Sequence, residues 1–175
     1  MRARANKLKV RELISELGCL AKGPGSVFLV GGSSIVLLEN GRDSTMDVDL
    51  KLDPEPAGIF EAIARLKDRL NLNIELAAPD QFIPAVPGWR ERSQFIDSIN
   101  SVDFYHYDFY SQALSKLERG HERDLTDVEH LISSCLIDRE ALLEHFESIE
   151  SELIRFPSID PEQFRRAVEA VALKP

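Results

Sequence analysis

The chain is 175 residues long, with 43% hydrophobic and 29% charged residues. That length can bury a core without metal or disulfide staples, and the balance excludes wholesale disorder. With 21 Lys+Arg against 30 Asp+Glu the net charge is -9, which argues against a broad phosphate-coating surface; any nucleic-acid contact has to be local.

Cys19 and Cys135 form no C-x-x-C pair, so they read as free thiols and not as a zinc site. The opening stretch MRARANKLKV carries charge with no apolar run behind it and does not read as a secretory signal. Apolar runs such as Ile35 to Leu38 are far too short to span a bilayer, so the expectation is a cytoplasmic protein.

Along the chain, Val10, Leu13, Ile14 and Leu17 recur at helical spacing and predict a helix over 7–17. The G-P-G at 23–25 breaks it. Residues 27–30 read as a short buried strand ended by Gly31-Gly32, and Ser33 or Ser34 is expected to cap a helix running through 35–39. Asn40-Gly41 is a stop and turn signal. Over 46–52, Met46, Val48, Leu50 and Leu52 alternate with Asp47, Asp49 and Lys51, a period of two and hence a strand.

Beyond Pro54 and Pro56, Ile59, Phe60, Ile63, Leu66 and Leu70 predict an amphipathic helix. A third strand is read at 73–76, an irregular Pro-rich loop at 77–90, and a fourth strand at 101–107 with Val102, Phe104 and Tyr105 as its buried side chains. From Asp108 onward the pattern is helical, with candidate helices at 108–119, 124–135, 138–154 and 161–172. The expectation is an α+β (α/β-like) core over 1–107, with a helical C-terminal portion over 108–175 packed on it as one compact domain.

The stretch 28–50, FLVGGSSIVLLENGRDSTMDVDL, carries most of the chemistry. Glycines at a strand-to-helix turn let a phosphate approach the backbone closely, and the helix behind them presents N–H groups and a positive dipole end. Asp47 and Asp49, two apart on a strand, share a face because Met46, Val48 and Leu50 fix the register. Paired hard oxygen ligands suit Mg2+, which takes one or two carboxylates plus substrate phosphates. Taken singly, each part also fits a plain turn and a solvated strand face.

In combination, Leu29-Val30-Gly31-Gly32-Ser33 followed by Asp47-Val48-Asp49-Leu50 resembles the signature of the nucleotidyltransferase superfamily (polymerase-beta-like), minimal members included. The form from Arg42 through Thr45 to Leu50 is similar to AbiEii-type toxins and related bacterial families. Downstream, Ala113-Leu114-Ser115-Lys116-Leu117 and Arg123-Asp124-Leu125 with Asp127-Val128 are similar to later lysine and aspartate motifs of that group. The resemblance implies a mixed sheet flanked by helices, with the aspartate pair on its central strand. It implies transfer of a nucleoside monophosphate from NTP to a hydroxyl acceptor on RNA, often tRNA, or on protein. It also implies a place as the toxin of a toxin–antitoxin pair, with an antitoxin partner.

On that resemblance, Gly31, Gly32 and Ser33 would hold the triphosphate with Arg42 and Thr45, and Asp47 and Asp49 would bind two Mg2+ ions. Glu75 is the candidate third carboxylate, with Asp80 and Asp103 in reserve; an exposed strand glutamate is the competing reading. Lys116 would contact a phosphate, against the plain reading of a solvated helix lysine. Asp124 would act as a general base or orient Lys116, or else serve with Asp127 as a helix cap and first-turn acid. Trp89 with Arg90 and Arg92 could stack a base or RNA end, or the tryptophan could anchor its loop. His106, His121, His130 and His145 show no metal-ligand spacing.

Two other function classes compete with the transferase reading. One is a nucleotidyltransferase fold without turnover, serving as a nucleotide-binding or interaction module. The other is a metal-dependent nuclease built on Asp49-Leu50-Lys51 with Glu39 or Asp43, which leaves the glycine turn unexplained. A Rossmann dinucleotide site is disfavoured because G-x-G-x-x-G is absent.

Overall fold

A computed structural model describes residues 2–174. The chain divides into two compact units: residues up to Ala78 together with Ser93–Tyr107, and Pro79–Arg92 together with residues from Asp108 onward. Among the described residues, no helix is long and apolar enough to cross a membrane.

The first unit opens with a two-residue strand β1 (Ala5–Asn6) and helix α1 (Lys7–Leu20), capped by Asn6, whose side chain accepts from the Lys9 N–H. Strand β2 (Gly25–Val30) follows, then α2 (Gly31–Leu37), β3 (Ser44–Thr45) and β4 (Asp47–Leu52). Helix α3 (Ile59–Arg69), strand β5 (Asn73–Leu76) and the hairpin β6 (Gln94–Ile99) and β7 (Val102–His106) complete it.

Five strands form a mixed sheet in the order β5-β4-β2-β7-β6. The β4–β5 and β2–β7 pairs are parallel; β2–β4 and β6–β7 are antiparallel. A mixed sheet with flanking helices is the architecture that the resemblance implies. One detail differs: the central strand is β2, and the aspartates lie on its neighbour β4.

Alternation decides which side chains go inside. Val27, Leu29, Val48, Leu50, Ile74, Val102 and Phe104 share one sheet face and are buried against Val10, Leu13 and Leu17 of α1 and Ile59, Ile63 and Leu66 of α3. Each such side chain, fully withdrawn from water, contributes about 1.5–3 kcal/mol of transfer free energy. The residues between them, including Asp47, Asp49, Asn73 and Glu75, therefore line the opposite face.

Three local expectations need correction. Neither Ser33 nor Ser34 caps α2: the helix starts at Gly31, directly from β2, with no side-chain cap. Strand β6 occupies residues to which the sequence pattern assigns no element, because this edge strand exposes Gln94, Phe95, Asp97 and Ser98 and so shows no apolar periodicity. The stretch 77–90 contains a 3-10 turn, Pro79–Gln81, and is followed by a one-turn helix α4 (Trp89–Arg92).

The second unit holds α4 with α5 (Phe109–Arg119), α6 (Glu122–Ser133), α7 (Arg139–Glu150) and α8 (Pro161–Ala172). Asp138 and Asp160 cap α7 and α8 by accepting backbone N–H groups, and Pro161 takes the first turn of α8. The helices meet over buried Leu114, Leu117, Leu131, Leu142 and Val168, with Phe146 edge-on to Phe164 at 4.9 Å between ring centroids.

Candidate functional site

Strand β2 turns into α2 at Gly31, whose φ of +58° lies in the left-handed region that glycine adopts without penalty. A Cβ built on Gly31 would lie 3.2 Å from Oδ2 of Asp49. The bend and the second aspartate are thus in direct apposition. The antiparallel register, which places Val30 opposite Asp49, brings them there.

Gly32 is pressed from another side. A Cβ there would meet Thr45 Cβ at 2.8 Å and collide with Thr45 Oγ1, and Arg42 Nη1 would lie 3.3 Å away. Thr45 is itself buried and sits on β3, which β1 pins through the Ala5–Thr45 and Asn6–Ser44 pairs. Arg42 therefore brings a guanidinium to the glycine bend. Ser33 is fully buried, and its hydroxyl donates to Val30 O (2.8 Å) with Asp49 O as a second acceptor at 3.3 Å. Its side chain fixes the spacing between bend and β4.

Parallel pairing sets Asp47 beside Asn73 and Asp49 beside Glu75, all on one face. The Asn73 amide Nδ2 donates to Asp47 Oδ1 and to Glu75 Oε1, both at 2.8 Å. The two acceptor oxygens are thus within two hydrogen-bond lengths of each other. Asp103, the reserve acid on β7, pairs with Ser26, four residues back along β2 from Val30. At about 3.3 Å per residue it lies roughly 13 Å down the strand from the aspartate pair. Asp80 falls in the second unit.

Beside the bend, Ser34 Oγ and His106 Nδ1 are 2.8 Å apart. Burial pushes the His106 pKa down to about 4, so the ring is neutral at pH 7. This pair ties α2 to the end of β7.

In the second unit, Lys116 is buried, with only 3% of its surface exposed, which sets aside the competing reading of a solvated helix lysine. Its ammonium donates to Asp127 Oδ2 at 2.6 Å and to Asp124 Oδ1 at 3.2 Å. Arg119 adds two further hydrogen bonds to Asp124. Burial pushes the Asp124 pKa up, but the Arg119 hydrogen bond and the Lys116 charge outweigh it, and the net shift is downward. Asp124 is not the cap of α6, which is His121; it stands in the first turn as Lys116's partner.

Arg92 makes a bidentate pair with the buried Asp108 (Nε–Oδ1 3.0 Å, Nη2–Oδ2 2.8 Å) and donates to Pro87 O. The loop is therefore pinned by Arg92 and by buried Ile83 and Val86, while Trp89 is only half-buried with Arg90 at 5.0 Å from its ring centroid.

Residues 7–166 match the sequence profile of a family described as "Nucleotidyltransferase of unknown function (DUF6036)". The chain belongs to this family. No curated protein and no solved structure matches it.

A nucleotidyltransferase-like fold implies divalent cations. Among the described residues, no group of three or more His, Cys, Asp or Glu side chains is arranged to hold a metal ion. What the fold does bring together is a pair of carboxylates on one exposed face beside a glycine bend. That donor set suits Mg2+, which completes its octahedron with phosphate oxygens and water. Asp47 and Asp49 would hold the ion, and Glu75 is the acid registered next to Asp49.

The sequence reading missed Asn73 and the Ser34–His106 pair. Asn73 shares the alternation of Glu75, but its partnership with Asp47 is set by the parallel register, which neither strand spells out alone.

Proposed function

We propose that this protein transfers a nucleoside monophosphate from an NTP to a hydroxyl acceptor. The bond from acceptor oxygen to the α-phosphorus forms, the bond to pyrophosphate breaks, and the acceptor gives up its proton. The observation that carries the reading is the apposition of the Gly31 bend to Asp49, whose Oδ2 would stand 3.2 Å from a Cβ built on the glycine, on the face that also bears Asp47.

Gly31 leaves room for phosphate oxygens to reach the backbone where a side chain would intrude, while Gly32 lets Thr45 close in on the bend. Arg42 supplies positive charge at the same bend. Ser33 and Thr45 hold the bend against β4 and β3. Asp47 and Asp49 carry the negative charge that holds Mg2+. Bound there, Mg2+ would offset charge on the triphosphate and lower the pKa of the acceptor hydroxyl.

The motif from Arg42 to Leu50, similar to AbiEii-type toxins, extends the proposal to RNA or protein as acceptor and to a role in a toxin–antitoxin pair. The net charge of -9 fits an acceptor contacted locally.

Incubation with α-labelled NTPs, Mg2+ and either total RNA or cell protein tests this. Label in one acceptor pool, with stoichiometric pyrophosphate, is the expected result. Thermal stabilisation by NTP and Mg2+ with no label transferred would replace the enzyme with a nucleotide-binding module. Nicking of plasmid without NTP would replace it with a nuclease.

A further inference from the structure

We propose that Asn73 is the positioning residue of this site: its amide holds Asp47 and Glu75 in fixed orientation for a divalent cation. The inference rests on the nucleotidyltransferase reading above and adds a residue that no motif marks.

Three observations carry it. Asn73 Nδ2 has two protons, and each is engaged by a different carboxylate at 2.8 Å, one on its own strand and one on β4. A neutral group therefore bridges two like charges that would otherwise repel across adjacent strands. The amide takes Oδ1 of Asp47 and Oε1 of Glu75, so the second oxygen of each carboxylate does not serve this donor and has its direction set by it. Asn73 itself gains no packing that would explain it, being half-exposed on the edge strand β5.

Groups that orient metal-binding carboxylates through hydrogen bonds typically change metal affinity about 10–100-fold when removed. Asn73→Leu keeps the branched shape at a somewhat larger volume and deletes both donors. Asn73→Ser keeps one proton, enough for one carboxylate. The half-exposed edge position leaves both variants able to fold, and the melting midpoint checks that.

The test is Mn2+ binding to the full chain without nucleotide, read from the paramagnetic resonance of unbound ion, for wild type, Asn73→Leu, Asn73→Ser and Asp49→Ala. The expected result is loss of binding in Asp49→Ala, affinity about tenfold weaker in Asn73→Leu, and an intermediate value in Asn73→Ser, at unchanged melting midpoints. Binding by Asn73→Leu equal to wild type, with Asp49→Ala impaired, overturns the role of Asn73 and leaves the transferase reading standing. Binding undetectable in wild type, or unaffected by Asp49→Ala, overturns both.

Discussion

Gly31 and Asp49 are so close that a Cβ on the glycine would stand 3.2 Å from the carboxylate Oδ2. Two constraints coincide at this position: a left-handed backbone and a carboxylate in tight contact with the place a side chain would start. Gly31→Ala therefore costs about 1–2 kcal/mol in backbone strain. It also pushes the methyl against Asp49. We expect a melting midpoint lower by a few degrees and a far larger proportional loss of NTP-dependent labelling. Equal activity at a lowered midpoint would mean that the bend is structural only.

Gly32→Ala acts differently. Its φ is ordinary, but the new Cβ collides with Thr45, which is buried and held by the β1–β3 pair. Thr45 and Arg42 must shift together. The expected outcome is a stability loss of about 1–3 kcal/mol by overpacking, measured in urea. The double variant Gly32→Ala/Thr45→Ala, which removes the clashing Thr45 hydroxyl, recovers part of it.

Lys116 anchors the second unit through Asp124 and Asp127. Removing one partner of a buried ion cluster costs about 3–5 kcal/mol, because the remaining charge keeps its desolvation penalty. Lys116→Met is expected to destabilise by that amount. Arg119→Ala, whose side chain is 42% exposed, is expected to cost under about 1 kcal/mol. Denaturation of both variants checks the contrast. Similar small losses would show that the lysine is spent on something other than holding α5 to α6.

Acid stability follows from groups whose pKa falls on folding: His106 and His145, lowered by burial, and Asp124, Glu129 and Glu150, lowered on balance by their cationic partners. His106, held at about 4 by burial, binds its proton less readily folded than unfolded. Its stabilising contribution is complete above about pH 6.5 and is lost as pH falls towards 4, up to roughly 3 kcal/mol in all. Asp124 is also lowered on folding, burial raising its pKa but the Arg119 hydrogen bond and Lys116 charge lowering it further. Its contribution is full above the ordinary aspartate range and disappears below it. Unfolding free energy should therefore fall first between pH 6.5 and 4, and again below that. In His106→Gln the first decline should shrink to the part carried by His145, while the second persists. An unchanged profile would place the titration elsewhere.

What the sequence discloses depends on contrast between two faces. In residues 46–52 one face is apolar and the other acidic, so both the strand and the shared direction of Asp47 and Asp49 could be read directly. The same contrast made α3 legible through Ile59, Ile63 and Leu66. Strand β6 had no such contrast, since both of its faces meet solvent. The burial of Lys116 was not legible, because a helix lysine is ordinarily exposed and its burial depends on acids from the following helix, although its contact with Asp124 agrees with the reading in which Asp124 orients it. Asn73 was invisible for a third reason: its importance lies in which strand pairs with which, and in what register.

The most direct test of the central claim is pyrophosphate release coupled to labelling from NTP and Mg2+, comparing wild type with Asp47→Ala and Asp49→Ala. Both substitutions sit on a half-exposed strand face, so circular dichroism should be unchanged. The account predicts transfer by wild type and its abolition in each variant. Transfer at the wild-type rate by either variant would contradict it.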